Sequence, residues 1–177
     1  GQGCDVNKKE AVEWYRKAAE QGNDYAQYNL GYCLHNGQGC DINQIEAVEW
    51  YRKAAEQGHV SGQYNLAICL EYGRGCDVNK KEAVEWYRKV AEHGNVDAQY
   101  DLARCLENGV GSEVDEEGAV EWYKKAAEHG NVDAQYDLAR CLENGVGREV
   151  DEEGAVEWYK KAAEHGNVDA QYDLARC

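Results

Sequence analysis

Residues 37–72 read GQGCDINQIEAVEWYRKAAEQGHVSGQYNLAICLEY, and this stretch decides the fold. Gly37-Gln38-Gly39 is a turn, because glycine reaches backbone angles that other residues avoid. Asn43 followed three residues later by Glu46 is a capping-box arrangement and marks a helix start. Ala47, Trp50, Tyr51, Ala54 and Ala55 then recur at helical spacing as one apolar stripe, and Gly58 ends that helix. A second helix turns Gly62, Leu66, Cys69 and Leu70 inward and ends at Gly73. Small residues alternate with large ones, so neighbouring helices approach and interlock. One such pair cannot bury its stripe alone; stacked copies can.

The copies are in the chain. Trp14, Trp50, Trp86, Trp122 and Trp158 stand 36 residues apart, as do Leu30, Leu66, Leu102, Leu138 and Leu174. Five in-phase units predict an all-α solenoid of antiparallel helix pairs, with repeats 1–36, 37–72, 73–108, 109–144 and 145–177 in one domain over 1–177. Residues 92–111 recur letter for letter as 128–147, and 113–141 as 149–177. That identity fits a recent duplication or an engineered consensus array with no natural partner, and both readings stay open. The chain contains no Met, begins in a loop and stops inside a helical pattern without a polar capping repeat. Both ends therefore read as cut, and their uncovered stripes predict a monomer or weak end-to-end association.

Acids outnumber bases 34 to 19 in the 177 residues, for a net charge of −15. A nucleic-acid partner calls for a basic footprint, which this balance argues against. Apolar runs are only a few residues long, so no membrane insertion is expected. The charge is uneven: residues 1–88 hold 10 bases and 13 acids, whereas 89–177 hold 9 and 21.

The pattern Ala26-x-Tyr28-x-Leu30-Gly31, Gly37-x-Gly39, Asp41, Ala47, Trp50-Tyr51 and Ala54-Ala55-Glu56-Gln57-Gly58 resembles the Sel-one-like repeat (SLR) family, relatives of the tetratricopeptide (TPR) repeats. The resemblance covers all five units. It implies a right-handed superhelix acting as a non-enzymatic interaction scaffold or adaptor. Cys4, Cys40 and Cys76 depart from it by replacing a small aliphatic residue after the Gly-x-Gly. Ala67, Ala103, Ala139 and Ala175 replace the glycine seen at Gly31.

Little in the sequence points to catalysis. Each Gly-x-Gly is an inter-helix turn, and there is no zinc-protease motif or nucleophile elbow. His93, His129 and His165 precede helix-ending glycines, where imidazole complements the helix dipole. Asp115-Glu116-Glu117 and Asp151-Glu152-Glu153 fall in first helical turns and lack the spacing of a calcium loop. A hydrolase built on a carboxylate or cysteine cluster is the remote alternative, set against the fivefold repetition of the same polar residues. No cofactor and no metal site is expected.

Five cysteines are in phase on the second helices (Cys33, Cys69, Cys105, Cys141, Cys177) and three in the loops (Cys4, Cys40, Cys76), with Ser112 and Arg148 completing the loop series. Buried reduced thiols are one reading, favouring the cytoplasm; bridges are another, favouring a secreted or luminal setting. Bridges have two registers. Cys33–Cys40 with Cys69–Cys76 is one; Cys4–Cys33, Cys40–Cys69 and Cys76–Cys105 is the preferred other, since it leaves over only the units that lack a loop cysteine.

The second helices leave one face free of the core stripe. It comprises Tyr25, Asn29, Tyr32, Asn36; Ser61, Asn65, Ile68, Tyr72; Asp97, Asp101, Arg104, Asn108; and Asp133, Asp137, Arg140, Asn144. These positions vary among copies more than the stripe does. The resemblance implies that they line a concave groove and bind a protein or extended peptide. A net basic partner is expected, its apolar anchor near Tyr32, Ile68 and Tyr72 and its basic part near Asp97, Asp101, Asp133 and Asp137.

Overall fold

The computed structural model describes residues 7–176; Cys4 and Cys177 of the cysteine series lie outside the described residues. Ten α-helices and no strand occupy the described residues: α1 (Lys8–Glu20), α2 (Asp24–Asn36), α3 (Gln44–Glu56), α4 (Val60–Tyr72), α5 (Lys80–Glu92), α6 (Val96–Asn108), α7 (Glu116–Glu128), α8 (Val132–Asn144), α9 (Glu152–Glu164) and α10 (Val168–Leu174). The helices pair in the α-solenoid manner that the 36-residue period predicts. They form two compact units, residues 1–86 and 87–177, with the division inside α5. In unit 1, α1 packs on α2, α2 on α3 and α3 on α4; in unit 2, α6 through α10 pack in succession.

Helix starts follow the predicted chemistry. Asn43 Oδ1 accepts the Glu46 N–H at 3.2 Å, and Asp115 and Asp151 do the same for Gly118 and Gly154 at 2.9 Å. The acidic runs are thus a cap and a first turn. Glu46 departs from a capping box: its carboxylate accepts from the Asn43 side-chain amide, the Trp50 ring N–H and Arg16 rather than from the Asn43 backbone N–H. α3 also stops two residues before Gly58. The Gln57 N–H closes it onto the Ala54 and Ala55 carbonyls, leaving Gly58 one step beyond with φ +91°.

The stripes are the core. Leu30, Tyr51, Leu66, Leu102, Tyr123, Leu138 and Tyr159 are buried, each full burial of a large apolar side chain contributing about 1.5–3 kcal/mol. The tryptophans stand further out: Trp50 is buried, Trp14 is 60% exposed, and Trp86, Trp122 and Trp158 are half-buried. Their faces carry lysine instead, with Lys53 Nζ 3.9 Å from the Trp50 ring centroid and Lys125 Nζ 3.8 Å from that of Trp122. A buried glutamine ties the two helices of a pair: Gln27, Gln63, Gln99 and Gln135 each donate to a last-turn carbonyl (Ala19, Ala55, Ala91 and Ala127) at 3.1–3.2 Å.

The second glycine of each turn is fixed by contact. A Cβ on Gly39, Gly75 or Gly147 would collide with the carbonyl of Lys8, Gln44 or Glu116, the first residue of a preceding first helix. The loop thereby closes on the start of that helix, which sets the second-helix ridge in register with it.

Candidate functional site

The named positions of the second helices divide by exposure. Tyr25, Tyr32, Asn36, Ser61 and Tyr72 in unit 1, and Asp97, Asn108, Asp133 and Asn144 in unit 2, are exposed; Asn29, Asn65, Ile68, Asp101, Arg104, Asp137 and Arg140 are half-buried. Asn29, Asn36, Asn108 and Asn144 each donate their amide to the carbonyl four residues back, at 2.8–2.9 Å, and lie along their own helix.

Unit 1 presents this face as rings. His59, the N-cap of α4, stacks on Tyr28 with centroids 4.8 Å apart and meets Tyr25 edge-on at 4.9 Å. Its Nδ1 accepts the Gly62 N–H at 3.0 Å. A cavity of about 250 Å³ opens beside it between Tyr25 and Ser61. A second, of about 170 Å³, is lined by Tyr32, His35, Asn36, Tyr51, Asn65, Ile68, Cys69 and Arg74. Burial first, and then the Arg74 guanidinium, holds the His35 imidazole below the usual histidine range.

Unit 2 presents charge, and most of it is used internally. Arg140 Nη2 donates to Glu107 at 2.5 Å and Arg140 Nε to Asp137 at 3.4 Å; Asp137 also accepts from Tyr100 Oη at 3.2 Å, and Glu107 from Tyr123 Oη at 2.8 Å. Arg104 pairs with Asp101 at 3.8 Å. This corrects the expectation that Asp101 and Asp137 await a basic peptide: each already faces an arginine one turn along its own helix. Burial raises the Asp137 carboxyl above the ordinary aspartate range although Arg140 pulls the other way. The exposed acids Asp97 and Asp133 are the ones turned to solvent.

The partners of the first register, Cys33 with Cys40 and Cys69 with Cys76, are electrostatic neighbours, and the Cys76 thiol lies 3.5 Å from the Cys69 carbonyl. Cys33, Cys40, Cys69, Cys76 and Cys141 are free thiols, and burial pushes Cys69 and Cys141 up to about 12. Among the described residues no group of His, Cys, Asp or Glu is placed to hold a metal ion. No described helix is long and apolar enough to cross a membrane.

The position that sets α2 apart from the later second helices was not part of the face read from the sequence. His35, Glu71, Glu107 and Glu143 are in phase one residue before the last position of the chosen face. The signal was there: from unit 1 to unit 2, His35, Asn65 and Ile68 change together to Glu107, Asp137 and Arg140.

The Sel1 repeat model matches residues 1–23, 24–59, 60–95, 96–131 and 132–167. The chain belongs to the Sel1 repeat family, of the TPR-like α-solenoid class. It is similar to the crystal structure of a Sel1 repeat protein from Oxalobacter formigenes, at 42% identity and TM-score 0.84 over 95% of this chain and 67% of that one. It is also similar to c5321, a protective antigen of uropathogenic Escherichia coli strains with an SLR fold, at 39% identity and TM-score 0.93, spanning 97% of this chain but 37% of that protein. Helicobacter pylori cysteine rich protein B shares the fold at 24% identity and TM-score 0.59. No curated protein matches the sequence. Proteins of this family are generally protein-interaction scaffolds.

Proposed function

We propose that the chain is a non-enzymatic scaffold or adaptor whose second-helix ridges take an extended protein segment. The observation that carries this reading is the set of exposed rings on otherwise packed helices: Tyr25, Tyr32 and Tyr72 are 67%, 41% and 53% exposed. Aromatic anchors of this kind dominate interface energetics. Unit 1 supplies the apolar contacts, at Tyr32, Ile68 and Tyr72. Unit 2 supplies acids, now Asp97 and Asp133, which favour a net basic segment and act on orientation and on-rate more than on affinity.

Selection from a library of extended peptides against the whole chain tests it. For any selected peptide, Tyr32→Ala with Ile68→Ala should cost more than about 1 kcal/mol at every salt concentration. Asp97→Lys with Asp133→Lys should weaken binding chiefly at low salt. Normal binding by both variants, with loss on changing the exposed face of the Trp-bearing helices, refutes the assignment. The letter-for-letter copies support a second reading, an engineered array, under which selection yields no ridge-dependent peptide.

A further inference from the structure

Unit 2 shows what the second-helix frame can hold. Between α6, α7 and α8 it encloses a carboxylate, Glu107, which accepts from Tyr123 Oη at 2.8 Å and from Arg140 at 2.5 Å. Unit 1 builds the same place 72 residues earlier, keeping Tyr51 for Tyr123 but setting His35 for Glu107, Asn65 for Asp137 and Ile68 for Arg140. All three charges are gone, and the space is an open cavity of about 170 Å³.

What remains there is a set of donors without a carboxylate acceptor. None of the lining residues is a carboxylate. Among the described residues no carboxylate accepts from Tyr51 or pairs with Arg74, whose guanidinium lies 5.3 Å from the Tyr72 ring centroid. The His35 Nδ1 is buried without a hydrogen-bond partner. The lining thiol, Cys69, is held neutral by burial and brings no competing anion at ordinary pH. At this place unit 1 has no carboxylate and has gained one cation, Arg74, where unit 2 has Val146.

We propose that this cavity binds the side-chain carboxylate of a Glu or Asp in the partner segment. Arg74 supplies the counter-charge, and the Tyr51 hydroxyl, the Asn65 amide and the His35 ring supply neutral donors; Tyr32 and Ile68 flank the methylene stem. A monoanion suits the single arginine, whereas a phosphate dianion would stay half-compensated. The proposal deepens the ridge reading and rests on it, adding one acidic residue beside the apolar anchor.

The test is an NMR titration of the whole chain, followed at the His35 and Tyr51 rings. The probe is acetyl-Ala-Glu-Ala-amide, compared with acetyl-Ala-Gln-Ala-amide and with acetyl-Ala-Ala-Ala bearing a free C-terminal acid. The Glu peptide should give saturable shifts and raise the apparent His35 pKa, since a bound anion favours imidazolium. The Gln peptide should bind about tenfold more weakly or not at all, and so should the Glu peptide with Arg74→Gln, a change on an exposed loop that leaves the core intact. His35→Glu with Ile68→Arg should rebuild the unit 2 ion pair and abolish binding with the fold retained. Equal shifts from the Glu and Gln peptides, or none from either, overturn the proposal, as does indifference to Arg74→Gln. Equal or tighter binding of the free-acid peptide overturns the side-chain source in favour of a C-terminus. A library-selected segment that ignores Tyr32→Ala and Ile68→Ala while the Glu peptide still binds refutes the ridge reading and leaves the pocket standing.

Discussion

Units 1 and 2 share a backbone and a core and differ in where they keep their charges. Unit 1 pairs charges between first helices: Arg16 with Glu46 and Arg52 with Glu82, both at 2.5 Å, with Trp50 and Trp86 donating their ring N–H to the same glutamates. Unit 2 has Gly118 and Gly154 at the places of those glutamates, each capped by an aspartate, and pairs charge on the second helices through Arg140 instead. The apolar stripe and the turn glycines specify the repeat. The polar residues are free to move from one face to the other, and moving them opens the ridge in unit 1 and fills it in unit 2.

The shared frame gives the largest expected effect. Gly75→Ala and Gly147→Ala both set a Cβ against a carbonyl at positive φ, and each should destabilise its surroundings by about 2–4 kcal/mol. Gly58→Ala, with nothing within 4 Å, should cost only about 1 kcal/mol, the left-handed strain alone. Hydrogen exchange of the flanking helices measures all three, and a mild effect at either turn breaks the claim of a common frame.

The ridge contrast comes next. Arg140→Leu strands Glu107 and Asp137, and with the arginine side chain 37% exposed against 15% for Glu107, the expected cost is about 2 kcal/mol, between the exposed and buried limits. Ile68→Ala at the matching place should cost about 1 kcal/mol. A larger loss at Ile68 than at Arg140 would reverse the comparison.

The frame was legible because it is periodic: leucine, tyrosine and glycine positions repeat with period 36, and Leu30, Leu66, Leu102, Leu138, Tyr51, Tyr123 and Tyr159 bury as the stripe predicts. The tryptophans and the polar ridge were less legible, for a physical reason. Trp14 and Trp50 are the same letter in the same phase, yet one is 60% and the other 7% exposed, because burial depends on which neighbour packs over the ring. Asp137 and Asp133 likewise read as equivalent acids; only the placement of Arg140 and Tyr100 separates a compensated carboxylate from an exposed one. Face assignment by helical offset stopped at the ridge crest and so passed over His35 and Glu107 on its flank.

Acid should pull the two units in opposite directions, by under about 1 kcal/mol per group. Hydrogen bonds from Arg16 and Arg52 hold Glu46 and Glu82 below their ordinary value of 4.5, so their contribution is present above that pH and lost as pH falls through the folded values. Burial holds Asp137 above 3.8, so its contribution is full below that pH and lost as pH rises through the folded value. Exchange protection in α3 should therefore fall more than in α8 between pH 5 and 3, and Glu46→Gln should flatten the difference. Parallel losses in both helices would remove the electrostatic contrast.

The smallest effect concerns the thiols and leaves stability unchanged. Unit 1 has loop cysteines, Cys40 and Cys76, that are part-exposed, whereas unit 2 has Ser112 and Arg148 at those places and, among the described residues, the buried Cys105 and Cys141 on its second helices. Thiolate is the reactive form, and burial raises the Cys33, Cys40, Cys69, Cys76 and Cys141 thiols, Cys69 and Cys141 to about 12. Exposure then decides the order, so alkylation of the native chain should reach Cys40 and Cys76 first and leave Cys69 and Cys141 until the fold opens. Mild reductant should change neither the labelling nor the stability if the thiols are free. A bridge would cost about 2–4 kcal/mol on reduction, and the structure says where to look: peptides joining Cys33 to Cys40 or Cys69 to Cys76, the pairs held as neighbours. Their recovery from unreduced protein would tie the loop of unit 1 to its second helix covalently and make the two units differ in their cross-links as well as their charges.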